Sequence, residues 1–367
     1  MPPFSNNMQT GDPSVSEGGP ADESRSRLPR GEAAHETKSQ ANPTFDSSNA
    51  LRVELPARWL TPAQFEDMVR GYRFHDHLLN AGAVVFSFPE RSRVPAGLGL
   101  WLLSFFNQLA EIGHGHIHLE FETPDGLFGY LDRNRFLQLL SGRITTAPAR
   151  PAISGADVFE GRTKGLVEIA PLRAGVARDD KQSIVGRVVD SLINFYPSGE
   201  EQTRRLRNNV FTVLGELVDN VFSHSQTHLP GYVSLQAYEK LRSPRIQIGV
   251  SDSGIGIPAS IRETLDVRVV GKSDAQLIIE AFNVGLSRHG SNTGRGCGLP
   301  QCAALAARYG STLFVRTPSA QIAFFPATDG RRVHNAQVHE SVGRMLGTHI
   351  YLEFRVNQLP AAGIAPF

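Results

Sequence analysis

The clearest helical pattern in the chain covers Leu206–His224, where apolar side chains recur every three or four residues. At about 100° per residue they form one stripe, which is typical of a helix packed on a core. The stripe contains Leu206, Val210, Val213, Leu214, Leu217 and Val221. Glu216, Asn220 and His224 recur at every fourth position and border this stripe. We expect this polar row to lie in a half-buried cleft, where a metal ion and its ligand would offset the cost of burying polar groups.

Alternating apolar positions predict a strand at Arg245–Asp252. The apolar residues of one parity are Ile246, Ile248 and Val250. Asp252 shares this parity, so its carboxylate is expected to be buried on the same side of the strand. Ser253-Gly254-Ile255-Gly256 follows and contains two glycines, which tolerate a positive φ and predict a sharp turn. We therefore place Asp252 in the same candidate site as the polar row.

A second glycine-rich segment precedes another predicted helix. Gly294, Gly296 and Gly298 lead into Leu299–Gly310, where Pro300 near the start, internal alanines and the final glycine indicate a helix. A glycine-rich approach to a helix N-terminus suits phosphate binding, because unpaired backbone N–H groups point at the anion there.

In the first half of the chain, strand and helix patterns alternate. The predicted order is strand Ala83–Phe88, helix Gly97–Ile112, strand Ile117–Phe121, helix Leu127–Leu140 and strand Leu166–Ile169. This βαβα arrangement favours a mixed or parallel sheet. The most apolar run, Ala96–Ala110, contains Asn107, falls short of the ~18 residues that a membrane span needs, and is expected to be amphipathic.

The remaining patterns predict an α/β arrangement for the second half as well. Ser183–Tyr196 is expected to form an amphipathic helix that packs on the Leu206–His224 helix or on a second subunit. Pro258–Thr293 is expected to be a long mobile stretch. Further strands are predicted at Tyr232–Tyr238, Thr312–Arg316, Gln321–Phe325 and Thr348–Phe354.

The length of 367 residues suggests two domains and a tail, because a single core rarely grows past about 250–300 residues. Residues 1–50 are poor in aliphatic side chains and rich in Ser, Gly, Pro, Glu and Arg, which predicts a disordered tail. We expect a regulatory domain at 51–175, a linker helix at 176–202, a second domain at 203–358 and a short tail at 359–367.

Charge and cysteine content exclude little but set the context. The 37 basic and 36 acidic residues nearly balance, so neither nucleic acid nor an anionic membrane surface is indicated as a partner. Cys297 and Cys302 are too few for a disulfide framework or a closed zinc site. The N-terminus lacks a basic and then apolar leader, so a cytoplasmic protein with no membrane segment is expected.

Three short motifs and a Gly-Thr pair together resemble a known family. The motifs are Glu216-x-x-x-Asn220, Asp252-x-Gly254-x-Gly256 and Gly294-x-Gly296-x-Gly298, and the pair is Gly347-Thr348. In this order they resemble the N, G1 and G2 boxes and the late Gly-Thr of the GHKL ATPases, which include gyrase, heat-shock chaperones, histidine kinases and mismatch-repair ATPases. The resemblance covers roughly Thr203 to Phe354. It implies a GHKL (Bergerat) α/β sandwich that binds ATP and Mg²⁺.

The resemblance also implies a role for each position. Asn220 would coordinate the Mg²⁺ that bridges the phosphates, and Glu216 would orient or deprotonate the attacking water or hydroxyl group. Asp252 would accept a hydrogen bond from the adenine amine, and Thr348 would assist through a water. His224 would meet a phosphate. The glycines would allow close approach of the backbone to the base or form the phosphate-facing end of a lid; they are Gly254, Gly256, Gly294, Gly296 and Gly298.

The first half of the chain contains features that help to choose between the reactions known for this family. Its element order is similar to that of STAS-like regulatory domains, the fold of anti-sigma-factor antagonists. Phe74-His75-Asp76-His77 is the one candidate for a phospho-accepting histidine, and it lacks the following proline of such helices. We therefore expect an Mg-ATP-dependent protein kinase, serine/threonine or histidine-kinase-like, or a partner switch whose N-terminal domain selects a protein partner.

Two other functions remain open from the sequence. An ATP-hydrolysing conformational clamp of the chaperone or mismatch-repair type would close its lid and form a homodimer that holds a client or DNA. A non-catalytic ATP sensor would bind nucleotide even without Glu216. A kinase transfers phosphate to a protein, whereas a clamp releases it slowly to water.

Overall fold

A computed structural model describes the chain over several ranges. They are residues 50–80, 82–173, 178–194, 199–224, 226–263, 269–284, 298–326, 334–340 and 342–355. The disordered tail predicted for residues 1–50 and the tail predicted for 359–367 therefore lie outside the described residues, except for residue 50.

The first half of the chain builds a parallel sheet with helices in the connections. Its strands are β1 (Leu51–Glu54), β2 (Ala83–Phe88), β3 (His116–Phe121) and β4 (Ile144–Ala147). Its helices are α1 (Pro62–Gly71), α2 (Phe74–Leu79), α3 (Ala96–Ala110), α4 (Leu127–Arg133), α5 (Phe136–Leu139) and α6 (Gly155–Phe159). The strands lie in the order β1-β2-β3-β4, and every neighbouring pair is parallel. The predicted mixed or parallel sheet is thus confirmed.

Local sequence explains where helix α1 begins. At the start of α1, the Thr61 hydroxyl accepts a hydrogen bond from Gln64 N (3.3 Å), and Thr61 N donates to Gln64 Oε1 (3.1 Å). This reciprocal capping pairs two N–H groups that the helix itself leaves unpaired.

The single helix predicted at Leu127–Leu140 is wrong, because Arg135 adopts a left-handed φ of 66° and separates α4 from α5.

The second half forms an antiparallel sheet with helices on one face. Its strands are β5 (Leu166–Leu172), β6 (Gly231–Tyr238), β7 (Arg245–Ser251), β8 (Thr312–Arg316), β9 (Gln321–Pro326), β10 (His334–His339) and β11 (His349–Arg355). Its helices are α7 (Arg178–Asn194), α8 (Glu200–His224), α9 (Ile257–Arg262), α10 (Asp274–Val284) and α11 (Gly298–Arg308). The strand order is β10-β9-β8-β11-β7-β6-β5, and all neighbours are antiparallel.

Strand β5 belongs to this second sheet, which corrects the prediction that Leu166–Ile169 continues the sheet of the first half. It pairs with β6 and buries Val167 against the helix-side core and Ile169 against the core of the first half. An apolar run buried on both faces does not specify which sheet it joins.

Residues 46–367 form one compact unit, and the boundaries proposed at 175 and 202 fall within it, so those boundaries remain predictions.

The described residues of Pro258–Thr293 include most of α9 and all of α10, two helices that the sequence patterns did not predict, while the expected mobility of this stretch remains a prediction. In α10, Ile278 and Phe282 are buried four residues apart against the helix-side core. Apolar residues at helical spacing give this segment a face to bury.

Helix α3 is enclosed by both sheets. Every one of its residues is buried except the half-buried Gln108, so the predicted amphipathic helix is wrong. On one side Phe106 packs on Phe86 of β2, with ring centroids 4.8 Å apart. On the other side α3 packs on β6, β7 and β11.

None of the helices in the described ranges combines the length and apolar composition that crossing a membrane requires.

Two glycines allow this close packing of α3 on the second sheet. A Cβ at Gly97 would lie 2.4 Å from Tyr351 Cγ, and a Cβ at Gly249 of β7 would lie 2.7 Å from Leu100 Cδ1. Both distances are shorter than real carbon contacts. The absence of side chains at these two positions therefore sets the distance between helix and sheet.

A buried ion pair also joins the two halves. Glu66 of α1 accepts a hydrogen bond from Arg316 Nε of β8 (2.6 Å), and Arg316 is fully buried. The other guanidinium nitrogens of Arg316 donate to the carbonyls of Met345 (3.0 Å) and Gly343 (2.8 Å), while Gly343 N donates to Glu66 (3.0 Å). Buried charges need such complete pairing, so this contact fixes one orientation of α1 on the second sheet.

We predict that Gly97→Ala and Gly99→Ala have different effects although both glycines lie in α3. Gly97→Ala forces a methyl group into the buried Tyr351 ring and should lower the free energy of unfolding by about 1–3 kcal/mol. At Gly99 the nearest atom to a new Cβ, Val94 Cγ1, is 3.8 Å away, so Gly99→Ala should be neutral or should stabilise by up to about 1 kcal/mol. Urea unfolding measures both values; equal effects would contradict the proposed packing.

Candidate functional site

Helix α8 carries the polar row on a buried framework. Its predicted apolar stripe is buried in the core between the helices and the second sheet. Asn220 is half-buried, as predicted, whereas Glu216 is exposed. Helical periodicity gives the direction of the Glu216 side chain but not what covers it, which explains this difference. The side chain of His224 lies outside what the structure describes, so its expected contact with a phosphate remains a prediction.

Gly298, the first residue of α11, packs directly on the Glu216 side chain. A Cβ at Gly298 would lie 2.5 Å from Glu216 Cβ and 3.1 Å from Glu216 Oε2. The N-terminus of an eleven-residue helix therefore approaches this carboxylate as closely as a glycine permits. The other two glycines of this motif, Gly294 and Gly296, lie outside the described residues.

Asp252 lies directly after β7 and is buried, with 8% of its surface exposed. The preceding residues of the same parity, Ile248 and Val250, belong to the helix-side core, so the predicted direction of the strand residues is confirmed. Asp252 Oδ1 accepts a hydrogen bond from Gly254 N (2.8 Å), and Asp252 N donates to Thr348 O (2.9 Å). The acid is thus held between the turn after β7 and the residue before β11.

Burial raises the pKa of Asp252 from its ordinary value of 3.8 to about 6, and hydrogen bonds from the backbone at Gly254 and Thr348 oppose the rise. A carboxylate offers about four lone-pair positions, so two backbone donors leave acceptor capacity unused. A ligand N–H donor would pair with this remaining capacity, which matches the role expected of an adenine amine.

Two glycines next to Asp252 require positive φ values. Gly256 has a φ of 82°, and a Cβ there would lie 2.6 Å from Pro318 Cδ. Gly347 has a φ of 98°, and a Cβ there would lie 2.0 Å from Asp252 O. Glycine is therefore required at both positions for the chain segments to meet, and Gly347 brings Thr348 beside Asp252.

The predicted positions thus form two groups on the same face of the second sheet. One group contains Asp252, its glycine turn and Thr348, and the other contains Glu216 and Gly298. Helices α8 and α11 pack on the face of the second sheet to which Ile248 and Val250 contribute, and strand alternation assigns Asp252 to this same face. Asn220 follows Glu216 by one turn of α8 and lies on the same side.

Hydrogen bonds from α3 lie behind the site and were not predicted from the sequence. Gln108 of α3 makes hydrogen bonds to Ser253 Oγ (3.0 Å) and to both backbone groups of Leu346. The signal available in the sequence is weak: Gln108 is a polar residue near the end of an otherwise apolar helix. Nothing in that pattern specifies a partner more than a hundred positions away.

An antiparallel sheet covered by helices, with a buried acid after an interior strand and a glycine at a nearby helix start, is the arrangement of a nucleotide-binding α/β sandwich. Residues 206–357 match the family model described as histidine kinase-, DNA gyrase B-, and HSP90-like ATPase. The C-terminal half of this chain is therefore a GHKL-type ATP-binding domain. Comparison with curated proteins gave no match, and the similarity expected between residues 51–175 and STAS-like domains remains a prediction.

We predict that Asp252→Asn removes a pH-dependent loss of stability. Between pH 3.8 and about 6 the folded chain retains the Asp252 proton more readily than the unfolded chain. Stability must therefore fall as the pH rises through this window, by up to roughly 3 kcal/mol for this group. Without ligand, Asp252→Asn should gain stability relative to wild type by about that amount between pH 4 and pH 7.

Urea unfolding of both proteins across this pH range measures the difference. Asp219→Asn provides the control, because Asp219 is an exposed residue of α8 and its substitution removes no buried charge. A wild-type protein whose stability relative to Asp252→Asn does not change with pH would show that Asp252 is not held in this buried position.

Proposed function

We propose that the chain is an Mg-ATP-dependent protein kinase or partner switch that transfers the γ-phosphoryl group to a hydroxyl group of a protein. The observation that carries the proposal is the position of Glu216. Its carboxylate is exposed, so it is accessible to an acceptor group, and it adjoins Gly298 at the N-terminus of α11, which favours a bound phosphate. A residue that orients or deprotonates the nucleophile beside a phosphate position is one of the recurring parts of phosphoryl-transfer sites.

The residues at the other end of the site would hold the base of the nucleotide. Asp252 would accept a hydrogen bond from the adenine amine, and Thr348 would support that contact through a water. Gly254 and Gly256 would let the turn after β7 run close to the base. The pKa of Asp252 falls when a ligand donor pairs with the carboxylate, so adenine binding would favour its ionised form.

At the reacting end, Glu216 would accept the proton of the acceptor hydroxyl. As that proton leaves, the hydroxyl oxygen forms a bond to the γ-phosphorus, the bond from the γ-phosphorus to the bridging oxygen breaks, and ADP departs. Asn220 would supply an oxygen ligand to Mg²⁺, which when bound neutralises charge on the phosphates. The half-buried position of Asn220 suits a ligand that must remain oriented.

The acceptor is proposed to lie on another protein. The candidate histidines of the first half are in α2, a helix of six residues, and the His77 ring forms a hydrogen bond with Ala83 O (2.8 Å). Because a carbonyl oxygen can only accept a hydrogen bond, His77 Nε2 carries a proton in this contact and has no lone pair to offer a phosphoryl group. The partner protein, its contact with the N-terminal half and a homodimer remain predictions.

We predict that Glu216→Gln separates binding from transfer. The substitution keeps the shape of the side chain but removes the base, so the affinity for ATP should change by less than about threefold while phosphate transfer falls by about 10²–10⁴-fold. Calorimetry with Mg-ATP measures binding, and γ-labelled ATP with a cell extract shows where the label goes. Glu201→Gln, an exposed residue at the start of the same helix, is the matched control.

The destination of the label also distinguishes the alternatives. Label on a protein that depends on Glu216 supports the kinase. Label released only as free phosphate, with nucleotide-dependent dimers, would indicate the conformational clamp. Binding without any turnover would indicate the ATP sensor. A wild-type chain that does not bind ATP would refute all three functions.

A further inference from the structure

Helix α3 lies along β7 on the face of the sheet opposite the proposed nucleotide site, and successive residues of the two elements are in contact. Gly97 N donates to Gln247 Oε1 (3.3 Å), and Leu100 lies against Gly249. Four residues further along α3, the hydroxyl groups of Ser104 and Ser251 are 2.9 Å apart. The alternation of β7 explains this arrangement, because Gln247, Gly249 and Ser251 face α3 while Asp252 faces the helices on the other side.

These contacts recur at regular intervals because four helical residues cover nearly the same distance as two strand residues. Four residues of a helix rise about 6 Å, and two residues of a strand extend about 6.6 Å. Advancing four positions along α3 therefore corresponds to two positions along β7. Gln108 follows Ser104 by four positions and Ser253 follows Ser251 by two, so these two side chains meet next.

Both N–H donors of the Gln108 amide and one acceptor position of its oxygen are used in this contact. Nε2 donates to Ser253 Oγ (3.0 Å) and to Leu346 O (3.0 Å), and Oε1 accepts from Leu346 N (2.8 Å). Leu346 N can only donate and Leu346 O can only accept, so they determine which end of the amide is oxygen. Two donated bonds and one accepted bond hold the side chain in one orientation.

These hydrogen bonds lie directly behind the residues proposed to contact adenine. Ser253 is the neighbour of Asp252 in the chain, and Leu346 precedes the Gly347-Thr348 pair. The two segments meet where Asp252 N donates to Thr348 O (2.9 Å). Leu346 O also forms a hydrogen bond with His349 Nε2 (2.8 Å), so both sides of this turn are fixed.

We propose that Gln108 is a positioning residue for the base-binding end of the site. It acts through Ser253 and Leu346 and keeps Asp252 and Thr348 at the separation that an adenine requires. The inference rests on the proposed ATP binding and adds a residue of the first half of the chain to that site. It does not require Gln108 to touch the nucleotide.

The expected signature is a loss of base selectivity. Gln108→Met keeps the length and packing of the side chain but removes all three hydrogen bonds. ATP affinity should fall about tenfold, which corresponds to one or two lost hydrogen bonds, while GTP affinity should change by less than about twofold. Calorimetry with ATP and GTP, at a temperature where all variants are folded, gives this ratio.

The matched control is Gln138→Met. Gln138 of α5 is an exposed glutamine of the first half, and its Nε2 donates to Asp157 Oδ2 (2.8 Å), away from the second sheet. It should keep the wild-type affinities for both nucleotides. If Gln108→Met is too unstable, Gln108→Glu replaces it, because a carboxylate retains the acceptor for Leu346 N; its ATP affinity should lie between those of wild type and Gln108→Met.

Three results would overturn the inference. Wild-type ATP affinity in Gln108→Met would show that the contact does not position the site. Equal loss of ATP and GTP affinity would indicate a general structural role. Failure of the wild-type chain to bind ATP would refute the proposed function itself, whereas normal ATP binding by wild type combined with either of the first two results refutes only the role of Gln108.

Discussion

Helix α3 packs closely between two sheets, and this packing holds the two halves of the chain together. Gly97 and Gly249 remove the side chains that would hold helix and sheet apart. Because α3 is then buried on both sides, the parallel sheet of the first half and the antiparallel sheet of the GHKL-type domain share one core, to which Tyr232 and Tyr351 of the second sheet contribute. Helix α3 of the first half therefore packs on the face of the second sheet opposite the candidate site, and a displacement of α3 would displace β7 as well.

The candidate site buries the carboxyl group of Asp252, which the stability of the fold alone does not favour. A carboxylate buried after β7 with backbone partners costs free energy when ionised, which is why its pKa rises to about 6. Burial shifts the pKa of the nearby His349 in the opposite direction. It lowers that pKa to about 3, so this ring is neutral in the folded chain. His349 is paired with Ser251 and Leu346 and supports the sheet, whereas Asp252 keeps acceptor capacity that a ligand can use.

Much of the candidate site could be predicted from the sequence because it depends on local geometry. The direction of Asp252 follows from strand parity, and the apolar stripe of α8 follows from helical periodicity. The membership of β5 and the two-sided burial of α3 could not be predicted, since an apolar run shows that a segment is buried but not against what. The exposure of Glu216 differs from the prediction for the same reason.

Most elements of the C-terminal sheet, the direction of residues along β7 and the family of residues 206–357 could be predicted from the sequence, because short periods and spacings encode them. Which segments come into contact depends on the tertiary structure. Gln108 contacts residues 145 and 238 positions later in the chain, and no local pattern encodes such a contact. It arises because four residues of α3 rise about 6 Å and two residues of β7 extend about 6.6 Å, so contacts recur along the two elements. Packing that two glycines allow at one end therefore brings a glutamine to the candidate site at the other.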